Sequence, residues 1–178
     1  MIKSVFNYPI SSLLDIESNI VYSIPRYQRE YTWGKFQWER LFDDLMENET
    51  GYFLGSIICI NQSQDALATQ TLEVVDGQQR LTTISILLAS IYSALKAQPS
   101  LTDDEQFELL KLKNKLVMRK DPKQPRLIPQ VQNSNQLDYF YVLSLAGLLE
   151  DKEYPGNAGN RRVLKAYRYF IDKINAYL

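Results

Sequence analysis

The chain contains no histidine and a single cysteine among its 178 residues. The first absence removes histidine-based triads, histidine-ligated zinc and the commonest general base. The lone cysteine, Cys59, excludes an internal disulfide and a cysteine-based zinc site. It stands in the apolar run Ile57-Ile58-Cys59-Ile60, which suits a buried, inert thiol rather than a nucleophile. No apolar run reaches membrane-spanning length and no secretory leader pattern is present, which points to the cytoplasm. Neither a Gly-x-x-x-x-Gly-Lys nor a Gly-x-Gly-x-x-Gly pattern occurs, so any phosphate chemistry must rest on another turn.

What is present is enough for a real core: 45% of residues are apolar and 12% aromatic. The net charge of −1 is unevenly spread. Residues 1–98 carry 7 Lys+Arg against 11 Asp+Glu, and residues 99–178 carry 13 against 10. The excess lies in Lys111, Lys113, Lys115, Arg119, Lys120, Lys123 and Arg126, with a second group at Arg161, Arg162, Lys165 and Arg168. Solvated helix faces account for such charges. A surface for a phosphate backbone is the functional alternative, with Lys111, Lys113, Lys115, Arg119, Lys120 and Lys123 as its candidate DNA contacts.

Periodicity gives an α+β chain. Ser11 or Ser12 suits the cap of a short helix. Alternating Ile20, Tyr22 and Ile24 predict a strand ended by Pro25. Phe36, Trp38, Leu41, Phe42 and Leu45 predict a helix over 35–49. The run 52–60 reads as a buried strand, with Gly55 marking close approach of another backbone or a ligand. Residues 61–70 form a polar connection to a strand at 72–75, and the two strands can pair as a hairpin. A wide apolar stripe predicts a central helix over 78–97, stopped by Pro99. Thr102 and Glu105 fit a capping box opening a helix over 102–119. Residues 126–129 are short and extended, and helices are expected at 133–149 and 160–178. The last runs to the final residue uncapped, as in a piece of a longer protein or an ordinary terminal helix. The expected layout is a sheet-and-helix unit over 1–98 followed by a helical extension over 99–178.

The chemistry centres on Val74-Val75-Asp76-Gly77-Gln78-Gln79-Arg80-Leu81-Thr82-Thr83. It reads as a strand, a tight turn and the first turn of a buried helix. A helix start leaves N–H groups unpaired and carries partial positive charge, which makes it an anion site. Gly77 permits a positive φ and close ligand approach. The amides of Gln78, Gln79 and Arg80 would open toward an anion. The Arg80 guanidinium would grip phosphate in bidentate fashion, and Thr82 or Thr83 would add a hydroxyl or complete the helix start. Asp76 would hold a magnesium ion or orient a water. The structural alternative has Asp76 capping the helix and Arg80 pairing with it. Arg26-Tyr27-Gln28-Arg29-Glu30-Tyr31-Thr32-Trp33, also at a strand end, offers a second arginine-bearing wall.

Three ordered segments carry a family resemblance: Ile24-Pro25-Arg26-Tyr27-Gln28-Arg29-Glu30-Tyr31-Thr32-Trp33, Tyr52-Phe53-Leu54-Gly55-Ser56-Ile57, and Val75-Asp76-Gly77-Gln78-Gln79-Arg80-Leu81-Thr82-Thr83. Together they resemble the N-terminal domain of GmrSD-type restriction endonucleases, a relative of the ParB/sulfiredoxin fold. The later segments 126–140 and 160–170 look like that family's helical continuation. The resemblance implies a ParB/sulfiredoxin-like unit that binds and hydrolyses a nucleoside triphosphate with Mg²⁺. It also implies a modification-dependent restriction or phage-defence system, in which a separate nuclease domain or subunit cuts DNA. DNA is then a partner through the full-length protein or complex, and a homo-oligomer is compatible. The resemblance assigns nucleotide binding to Tyr27, Gln28, Arg29, Gly77, Gln78, Gln79 and Arg80, with Thr82 and Thr83 beside them, and catalysis to Asp76 and Arg80. Many relatives carry a C-terminal His-Asn-His nuclease, which a chain without histidine cannot contain. Two alternatives stay open: a DNA-binding or specificity module without NTP turnover, and a metal-dependent nickase built on Asp76 with Glu73 or Glu30.

Overall fold

The computed structural model describes residues 5–63 and 68–177. Part of the polar connection, residues 64–67, and the last residue of the expected final helix lie outside the described residues. The elements are α1 (Ile10–Leu13), β1 (Ile20–Ser23), α2 (Lys35–Glu47), β2 (Ile58–Asn61), β3 (Gln70–Asp76), α3 (Gln78–Lys96), α4 (Asp103–Leu116), β4 (Leu127–Ile128), α5 (Asn135–Leu145) and α6 (Arg162–Asn175). The mixed α+β class is as expected. No described helix is long and apolar enough to cross a membrane.

The four strands run in the order β2-β3-β1-β4. β1 is parallel to both its neighbours, with Tyr22 opposite Leu72 on one side and Leu127 on the other. β2 and β3 form the expected antiparallel pair. β4 comes from beyond residue 98, so both halves of the chain build one sheet. Helix α3 is the central helix. Thirteen of its nineteen residues are buried, and α4, α5 and α6 pack on it. Two of its buried serines are satisfied by hydrogen bonds: Ser90 Oγ donates to Ile86 O within the helix (2.9 Å), and Ser85 Oγ accepts from Tyr139 Oη of α5 (2.9 Å).

Several boundaries differ from the sequence expectation. The strand expected at 52–60 begins only at Ile58, and it is not buried: Ile58 and Ile60 are exposed. Among the described residues β2 is an edge strand, paired with β3 alone. Gly55, at φ +106°, turns the preceding backbone away from extended geometry. A continuous apolar run does not distinguish an edge from a centre. Helix α5 stops at Leu145 rather than 149. The amides of Gly147 and Leu148 turn back to Ser144 O and Leu143 O, both at 2.9 Å, and close the helix. The capping box at Thr102 and Glu105 forms as expected, with Glu105 Oε2 accepting from Thr102 N at 2.8 Å.

One residue of the basic excess has a structural role. Arg126 is 2% exposed, and its guanidinium donates to Asn114 O, Ser18 O, Ser18 Oγ, Ile20 O and Ile16 O. Burial lowers its affinity for the proton, yet the carbonyl cage leaves the cation well solvated by the protein. It fastens the segment before β1 to the start of β4.

Candidate phosphate-binding turn and its clamp

Parallel pairing of β1 and β3 sets their carboxyl ends side by side, with Ser23 opposite Glu73. Loop 24–34 leaves one strand there and the turn Asp76-Gly77-Gln78 leaves the other. Ligands of open α/β sheets bind beyond the carboxyl ends of such strands. The two sequence segments proposed as opposite walls therefore meet at one place.

They meet through the glutamines. Gln79 is 5% exposed. Its Oε1 accepts from Thr32 N (2.8 Å) and Trp33 N (3.3 Å), and its Nε2 donates to Glu30 O (2.8 Å). Gln78 Nε2 donates to Arg29 O (2.9 Å) and Gln28 Oε1 (3.3 Å). Gln28 Nε2 returns to Val75 O (2.7 Å). A free loop would present these backbone groups to water. The three amide side chains replace that water and fix the loop against the first turn of α3.

Deeper in, Thr83 is fully buried. Its Oγ1 donates to Gln79 O (2.8 Å) and lies 2.7 Å from Tyr31 Oη, which in turn accepts from Trp38 Nε1 (2.8 Å). Burial pushes the Tyr31 phenol well above its usual range, so it stays protonated. Thr82 is likewise buried at 3%. Both threonine side chains thus lie within the packed start of the helix. Gln78 Nε2 and both ends of the Gln79 amide are committed to the loop, and the Thr83 hydroxyl to Tyr31 and to Gln79 O of its own helix.

The outward-facing groups are different ones. Arg80 Nη1 donates to Ser56 O (2.9 Å), and no carboxylate pairs with Arg80 among the described residues. Its guanidinium lies over Gly55: a β-carbon there would fall 2.5 Å from Cζ. Gly77 occupies the N-cap at φ +82°, and a β-carbon on it would meet Ser56 O at 2.7 Å. The helix therefore starts without a side-chain cap. Asp76 is exposed at the strand end and neither caps α3 nor pairs with Arg80, so the structural alternative for this carboxylate fails. Arg29 is exposed on the loop side. Tyr27 is 69% exposed, and its Oη donates to Glu73 Oε1 (2.8 Å), a bond that raises the phenol's pKa. Glu73 also accepts from Gln62 Nε2 (3.2 Å).

The sequence expectation set Arg162 in a basic surface group and not at this loop, where, from the start of α6, it donates to Thr32 O. That expectation also did not include the Ser56 carbonyl that holds Arg80. Arg162 lies 130 residues from its partner, and local pattern carries no signal for such a contact.

The basic stretch is elsewhere and largely engaged. Lys111 pairs with Glu108 (2.6 Å), Arg119 with Glu17 (2.9 Å) and Lys123 with Glu150 (3.0 Å). Lys115 Nζ donates to Ser11 O (3.3 Å) and Leu14 O (3.5 Å). Lys113 and Lys120 have no ion pair among the described residues. No cluster of three or more His, Cys, Asp or Glu side chains suited to a metal occurs among the described residues.

No curated protein matches the chain. The family model described as "GmrSD restriction endonuclease, N-terminal domain" matches residues 10–178, nearly the whole length. The glutamine clamp, the uncapped turn and Arg80 all lie within that match, and the chain belongs to the GmrSD restriction endonuclease N-terminal domain family.

Proposed function

We propose that the chain binds a nucleoside triphosphate beyond the carboxyl ends of β1 and β3 and hydrolyses it. It would serve as the regulatory module of a modification-dependent restriction or phage-defence protein. The nuclease that cuts DNA is a separate domain or subunit, and DNA is reached through that larger assembly. The observation that carries this reading is Arg80. It is positioned by Ser56 O and Gly55 next to an uncapped helix start, and no carboxylate pairs with it among the described residues. A guanidinium has five donors, and one bond to Ser56 leaves others for phosphate oxygens.

In this reading the first-turn amides of Gln78, Gln79 and Arg80 and the Arg80 guanidinium bind the phosphates. Gly77 supplies the left-handed turn into the helix and leaves room for the Ser56 carbonyl. Arg29 and Tyr27 stand on the loop side, with Gln28, Gln78 and Gln79 holding that loop in place, and Thr82 and Thr83 stiffening the turn from behind. Asp76 orients the attacking water. A lone exposed carboxylate also suits Mg²⁺, which keeps most of its waters and takes one or two carboxylates together with substrate phosphates. When bound there, the ion would offset the charge of the phosphates.

Isothermal titration of NTPs with Mg²⁺, paired with phosphate release, tests the proposal on wild type and Arg80→Ala. Binding and turnover by wild type, with a loss of roughly tenfold or more in the variant, is the expected result. No binding by wild type, or equal binding by both, overturns it.

A further inference from the structure

Behind the first turn of α3 lies a small hollow of about 10 Å³, walled by Ile24 and Val163 and edged by Gln78, Thr82, Gln130 and Asn135. All four polar residues are at least nine-tenths buried, with Gln130 at 2% exposure. Gln130 Oε1 accepts from Gln132 N, which fixes the side chain. Its Nε2 is buried with no protein partner among the described residues. A buried amide donor left unmatched is costly, and native proteins rarely leave one so. The hollow is about the size of one water-sized sphere, and its edge supplies the several polar partners that a buried water needs.

We propose that one structural water occupies this hollow, accepting from Gln130 Nε2 and bonding to groups of Asn135, Gln78 or Thr82. The water is a built part of the site. Gln130 and Asn135 flank the turn between β4 and α5, whereas Gln78 and Thr82 belong to the first two turns of α3. Gln78 is also the residue whose Nε2 holds Arg29 O. The water therefore links the later half of the chain to the clamp that fixes loop 24–34. This link does not depend on what the site binds. Gln130 acts as a positioning residue on that loop, through the water and Gln78, from a hollow that Ile24 and Tyr31 of the loop also line.

A high-resolution crystal structure of the full chain tests the site. The expected result is a peak within hydrogen-bond distance of Gln130 Nε2 and of at least one other edge residue. A dry hollow, or an Nε2 bonded directly to protein, overturns the proposal. Hydrogen exchange tests the link. In Gln130→Leu, the Thr32 and Trp33 amides should exchange about tenfold faster, while amides in the middle of α3 keep their wild-type rates. Unchanged exchange at Thr32 and Trp33 in a folded variant overturns the link. The crystal structure decides the water site even if that variant does not fold.

Discussion

The guanidinium of Arg80 occupies the space that a side chain on residue 55 would need. A β-carbon at Gly55 would come within 2.5 Å of Cζ, 2.6 Å of Nη2 and 2.7 Å of Nη1. The glycine of one segment is thus explained by the arginine of another, 25 positions on. The same neighbourhood supplies Ser56 O as the hydrogen-bond acceptor that holds Arg80 in place.

Gly55→Ala should therefore act on Arg80 as well as on the backbone. Backbone strain at φ +106° is expected to cost about 1–3 kcal/mol. Gly51 provides the control, because its φ is +103° and nothing lies within 4 Å of its added β-carbon. Both alanine variants should lose similar stability in urea melts. Only Gly55→Ala should also weaken nucleotide binding. Equal affinity in the two variants would count against a role for Arg80's position.

Gln79→Leu should release loop 24–34. It leaves Thr32 N, Trp33 N and Glu30 O without the partner that Gln79 provides. Groups buried without partners cost about 1–3 kcal/mol each, and partial access to water moderates the sum to about 2–4 kcal/mol. Chemical denaturation measures the total, and exchange of the Thr32 and Trp33 amides locates it. Gln78→Leu should cost less, because its side chain holds the loop through two donations from one nitrogen.

Cys59 offers a pH-dependent test. Cys59 is half-buried on the inner face of β2, and that desolvation pushes its thiol from the usual 9.0 up to about 11. The folded chain therefore holds the thiol proton more tightly than the unfolded chain does. The resulting stabilisation is complete below the unfolded value and is lost as pH rises through about 11. Wild type should lose stability relative to Cys59→Ala across that alkaline interval, while below it their difference stays constant. Thiol alkylation at neutral pH should be slow in the native state and fast after unfolding.

Much of the fold was legible in the sequence because its signals are local. The apolar stripe of α3, the Thr102–Glu105 capping box and the hairpin of β2 with β3 all follow from spacing within a few residues. The turn at Gly77 was legible for the same reason, since a glycine between a strand and an apolar helical pattern has few other uses. The edge position of β2 was not, because Ile57-Ile58-Cys59-Ile60 has the composition of a buried strand and only its neighbours decide its exposure. Nor was Arg126's burial, since a carbonyl cage drawn from residues 16–20 and 114 leaves no mark beside an arginine in a basic stretch.

The Asp76–Thr83 turn shows the division most clearly. Sequence alone determined that a strand would end, a glycine would turn the chain, and a helix would start with arginine and amides in its first turn. Only the tertiary structure decided which of those groups face outward. Gln78, Gln79 and Thr83 share the polar character of Arg80, but parallel pairing of β1 with β3 lays loop 24–34 over them. Gln78 and Gln79 then bond to loop backbone that has lost its water, and the Thr83 hydroxyl is taken by Tyr31 and by Gln79 O of its own helix. Arg80 escapes because its longer side chain reaches past the clamp to Gly55 and Ser56. The helix pattern settles what kind of groups stand at the turn, whereas contacts made across the fold settle which of them remain available to an anion.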